Sequence, residues 1–153
     1  MLLKTVRLAN LLLAGTLAGN ELGTWAAVHP AAEKLGPPER LRAEQELTRR
    51  FGAIMPAWMG AALVSSFLAT LLSRGSAGFR ATLFGTLCFA AMLASTRLGN
   101  VPINDRTLEL TEDDIEEFER LRDRWGRLHT LRVALTMAGL GALVSGALAR
   151  DKR

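Results

Sequence analysis

The chain has only two histidines, and each lies at the end of a long apolar run: His29 closes the first and His129 opens the last. Imidazole exchanges a proton near neutral pH and is also a common metal ligand, so a facing pair suggests either base catalysis or a cofactor site. Glu21, Trp25 and His29 follow at intervals of four, which predicts one shared helix face. Trp125, His129 and Arg132 form a second aligned set, at spacings of four and three. A carboxylate such as Glu21 inside an apolar helix is costly and is by default a candidate site residue. Each set also has a purely structural explanation. Glu21, protonated or paired with Arg97 or Arg132, locks the bundle, and Trp125 and Arg132 anchor a helix at the membrane interface.

The elements that must position these residues are four stretches nearly free of charge, at about 6–28, 52–72, 78–98 and 129–149. Each is close to the roughly 20 residues a spanning helix needs. Their apolar character runs all round, whereas a soluble bundle shows one apolar stripe per helix. The expected fold is all-α: a single domain over 1–153, a four-transmembrane-helix bundle with two outward-facing loops that contain short amphipathic helical extensions. The first run has the basic start of a signal peptide (Lys4, Arg7), but it is longer than a signal core and Glu21 interrupts it. Basic residues near the N-terminus, around Arg74 and Arg80, and at Arg150, Lys152 and Arg153 put both termini on the cytoplasmic side; the membrane expected is a bacterial inner membrane. The net charge of +4 comes from residues scattered over separate helix ends, which argues against nucleic acid as a partner. The lone Cys88 reads as a small buried apolar residue.

The first long loop opens with His29-Pro30. Pro38 then starts an amphipathic helix over about 39–50, with Leu41 and Leu47 inward and Glu39, Arg40, Arg42, Glu44, Glu46, Arg49 and Arg50 in water. In the second, Asn100-Val101-Pro102-Ile103-Asn104 predicts a break: proline pushes its predecessor out of helical geometry, so the third helix should end near Asn100. The freed backbone groups and the two amides become candidates to orient a polar ligand. Thr111 reads as a helix cap. Ile115, Phe118, Leu121, Trp125 and Leu128 form a stripe that continues into the last span as one long helix. Gly15, Gly19 and Gly23 form a small-residue ridge suited to close helix packing.

Four spans, an Asn-x-Pro-x-Asn element after the third, and Trp-x-x-x-His-x-x-Arg entering the fourth resemble the anthrone oxygenase-like family of small membrane proteins. The likeness rests on Asn100, Pro102, Asn104, Trp125, His129 and Arg132, with His29-Pro30 as a weaker element. It implies a membrane oxidoreductase, a monooxygenase that uses molecular oxygen on a hydrophobic, aromatic or polyketide-like substrate. An anthrone is a carbon acid, so His129, Arg132 and His29 would be catalytic, with His129 or His29 as the base and Arg132 stabilising the oxyanion. Asn100, Asn104, Trp125, Trp25 and Glu21 would bind substrate, with Trp58 as a further pocket wall. The expected partners are a hydrophobic small molecule and the lipid bilayer, with a homo-oligomer as a further possibility. One alternative is a haem or metal ion on His29 and His129, with Glu21 or an asparagine completing the set. With no His-x-x-His, Glu-x-x-His or second cysteine, that reading rests on the two histidines alone. The other is a non-enzymatic transporter or structural subunit that uses Glu21 for proton or solute movement.

Overall fold

In the computed structural model, which describes residues 1–149, the chain is helical and no strand occurs among the described residues. Helix α1 (Leu2–Gly23) widens into a π-turn (Thr24–Val28) and continues as the short α2 (His29–Ala32). Helix α3 (Pro37–Leu72) returns across the bundle. Helix α4 (Phe79–Ser95) passes through a second π-turn (Thr96–Asn100) into α5 (Val101–Glu109). A 3-10 turn (Glu112–Asp114) then leads into α6 (Ile115–Leu148). The result is four helical rods, each long and apolar enough to cross a membrane. Leu8, Leu12, Val64, Phe67, Phe84, Leu87, Met137 and Val144 point outward, where lipid rather than water suits them. The chain is an integral membrane four-helix bundle. The basic C-terminal residues Arg150, Lys152 and Arg153 lie outside the described residues.

Two expectations about the loops need correction. Glu39–Arg50 is not a separate loop helix but the first part of α3. Pro102 does not end the third rod. Its ring cannot tolerate the carbonyl four residues back, and the helix accommodates this by widening. The Val101 N–H reaches the Thr96 carbonyl five residues away, and the His29 N–H reaches Thr24 in the same way just before Pro30. Both π-turns therefore sit one residue ahead of a proline and keep the rods continuous.

Close packing is also not where the glycine ridge of α1 suggested. Gly15, Gly19 and Gly23 have nothing within 4 Å of an added Cβ. The tight contact is between α4 and α6, where a Cβ on Gly85 would lie 2.8 Å from Leu143 Cγ and 2.9 Å from the Gly139 carbonyl. Leu17, Met59, Phe89, Met92 and Leu143 fill the centre. Towards the other end, away from the histidines, Asn10 donates to Ser66 Oγ at 2.7 Å and Thr86 donates to the Ser66 carbonyl at 3.0 Å. Such bonds tie helices together where apolar contact distinguishes poorly between helix and lipid.

Candidate functional site

The rods meet at the histidine end in two units of similar composition. In the first, the N-terminus of α2 presents His29 to Glu44 of α3, with Nδ1 2.9 Å from Oε1. Arg122 of α6 lies 3.2 Å from the same oxygen and 3.1 Å from His29 Nδ1. A guanidinium only donates, so the consistent arrangement has His29 Nδ1–H and Arg122 both donating to Glu44. The neutral ring then keeps its lone pair on Nε2. In the second unit Arg132 spans two acceptors, donating from Nε to Glu21 Oε2 at 2.7 Å and from Nη2 to His129 Nδ1 at 2.9 Å. That fixes the opposite tautomer, with the proton of His129 on Nε2, a buried atom without a protein partner among the described residues.

Trp125 joins the units. Its ring centroid is 4.6 Å from that of His29 and 4.6 Å from that of His129, and the two imidazoles stand 5.5 Å apart and nearly perpendicular. The two amides predicted to orient a ligand both grip this tryptophan. Asn104 Oδ1 accepts the indole N–H at 2.7 Å, and Asn100 donates to the Trp125 carbonyl at 3.5 Å. Arg122 covers the indole face at 4.3 Å from its centroid.

A cavity of about 780 Å³, counting its open mouth, lies between the rods on one side of this wall. Phe51, Met55, Met59, Leu93 and Val101 make it apolar, and His29, Glu44, Arg97, Asn104, Trp125 and Arg132 supply its polar groups. Pro56 lacks the N–H that would pair the Gly52 carbonyl, and both residues line the same cavity. On the other side an outer groove runs past Trp25, Glu33, Arg40, Arg122, Arg127 and His129. Among the described residues only His29 and Trp125 line both spaces, so they form the partition.

The candidate residues thus fall into three positions. His29, Arg132, Asn104 and Trp125 line the cavity, Trp25 and His129 line the groove, and Glu21 and Asn100 stand behind, lining neither. Trp25 leaves the face shared by Glu21 and His29: it is 45 % exposed and its indole N–H donates to Thr130 at 3.1 Å. Trp58 packs against the apolar core instead of lining either space. Glu44 corrects the sequence reading most. Expected in water, it is 2 % exposed and is the partner of His29. Arg122, unassigned by the sequence, is its counter-charge. A signal for both was present in the spacing. Glu44 falls three residues after the inward Leu41, and Arg122 lies between Phe118 and Trp125 on the apolar stripe at steps of four and three.

Among the described residues no three of His, Cys, Asp or Glu are grouped to hold a metal ion. Each imidazole has a guanidinium beside its Nδ1, Arg122 at 3.1 Å from His29 and Arg132 at 2.9 Å from His129, and these fixed positive charges repel a cation and already occupy Glu44 and Glu21. The residues at this site therefore fit a metal ion poorly.

A family model described as Anthrone oxygenase matches residues 45–142, which span most of α3, all of α4 and α5 and most of α6, including Asn100, Asn104, Arg122, Trp125, His129 and Arg132. No curated protein and no solved structure matches the chain.

Proposed function

Because the chain belongs to the anthrone oxygenase family, we propose that it oxidises an anthrone-like aromatic substrate with molecular oxygen in the apolar cavity between its helices. The observation that carries this reading is the meeting of His29, held on Glu44, with Arg132 and Asn104 at the wall of a cavity to which Leu47, Phe51, Met55, Met59, Leu93 and Val101 give an apolar surface. The methylene of an anthrone is a carbon acid. His29, with its Nε2 lone pair, takes the proton, and Arg132 offsets the negative charge that develops on the enolate oxygen. The electron-rich carbon then gives up electrons to oxygen. In sum the methylene carbon loses two hydrogens, one oxygen atom becomes its carbonyl and the other leaves as water. No further reductant is required.

Of the two imidazoles the sequence offers as base, this reading takes His29. His129 does not line the cavity, and its Nδ1 already accepts a hydrogen bond from Arg132. It is better placed to hold Arg132 in position than to reach substrate. The test is oxygen uptake by the purified protein with emodin anthrone, followed alongside anthraquinone formation. One oxygen should be consumed per quinone formed, and His29→Ala should lower kcat about 100-fold or more. A His29→Ala protein at the wild-type rate would sink the assignment.

A further inference from the structure

Among the described residues, Arg97 is the one cation at the cavity whose charge has no answer. The cavity wall carries three charged groups, Glu44, Arg97 and Arg132. Arg132 is matched by Glu21 at 2.7 Å, and Glu44 is matched by Arg122 at 3.2 Å. Glu21 had two possible partners in the sequence, and its pairing with Arg132 leaves Arg97 over. Arg97 forms no ion pair and no side-chain hydrogen bond with any described residue, unlike Arg40, Arg106 and Arg122 at the same end of the bundle. It is exposed, and the π-turn Thr96–Asn100 places it at the cavity. A planar guanidinium offers a fork of donors suited to a carboxylate or another planar oxyanion.

Resting on the oxygenase reading, we propose that the natural substrate is amphiphilic: an aromatic body that fills the Met, Phe and Leu cavity, and an acidic substituent, a carboxylate or ionised phenol, that pairs with Arg97. Arg97 is then a specificity residue and takes no part in proton transfer. The pairing holds the ring system in one orientation, with its acidic edge at Arg97 and another edge turned towards His29. A neutral substrate of the same shape enters the cavity but lacks this anchor.

The experiment uses ligands that cannot be oxidised, anthraquinone-2-carboxylate and its methyl ester, bound to the intact protein in nanodiscs and read by tryptophan fluorescence quenching. Wild type should bind the acid about tenfold more tightly than the ester, a ratio expected of one partly exposed charge-assisted pair. Arg97→Gln should bring the ratio close to one by weakening the acid alone, and Arg97→Lys should keep part of the preference. Equal weakening of both ligands, or a change that follows the anionic lipid content of the disc, would make Arg97 a structural or headgroup anchor and overturn the proposal. So would an unchanged ratio, or no quenching by either ligand. The readout is binding, so a protein that fails to consume oxygen with emodin anthrone still answers this question.

Discussion

At the scale of single residues, the decisive group is Glu44, a carboxylate buried where it meets one imidazole and one guanidinium. It holds the His29 ring and offsets Arg122 at once. Glu44→Gln keeps an oxygen for Nδ1–H but removes the charge and leaves Arg122 uncompensated. The expected result is a fall in oxygen uptake of about 100-fold and a loss of about 3 kcal/mol of stability in detergent melts. A rate within twofold of wild type would show that His29 does not depend on this partner. The sequence pointed to His29, His129, Trp125 and Arg132 because apolar surroundings make a polar residue conspicuous. Glu44 and Arg122 lie in segments rich in charge, where one buried acid looks like its solvated neighbours, and only the phase of the helix separates them.

At the scale of elements, the prolines were legible as irregularities but not as the kind of irregularity they are. A break and a widened turn both relieve the clash between a proline ring and the preceding turn. The widened turn keeps α4 running into α5, so Asn100 and Asn104 lie four residues apart along a continuous rod and reach the backbone and the indole of the same Trp125. Glycines were similarly ambiguous, since a small-residue ridge gives the possibility of close packing without saying which ridge is used. The contrast is measurable. Gly85→Ala inserts a methyl into Leu143 and the Gly139 carbonyl and should destabilise the protein by about 1–3 kcal/mol. Gly19→Ala meets nothing and should stabilise it by about 0.5–1 kcal/mol through helix propensity. Thermal melts of the two variants that moved in the same direction would contradict this packing.

At the scale of the whole molecule, the distribution of polarity has to serve two ends. Apolar helices gain little from burying one another in lipid, so buried polar contacts must fix their register. At the far end, the ties from Asn10 and Thr86 to Ser66 do so without any charge. At the histidine end the same task falls to Glu21 and Arg132, which link α1 to α6 at 2.7 Å, and there Arg132 also lines the cavity. Locking and chemistry can be separated because a buried ion pair is costly to break by half but cheap to replace whole. Glu21→Leu or Arg132→Leu alone strands a charge and should cost about 3–5 kcal/mol of stability. The double variant strands none and should recover to within about 1 kcal/mol of wild type. If Arg132 also offsets the enolate, the double variant stays folded and helical yet fails to consume oxygen with emodin anthrone. A double variant that regained both stability and activity would reduce the pair to a lock and move the oxyanion contact elsewhere on the cavity wall.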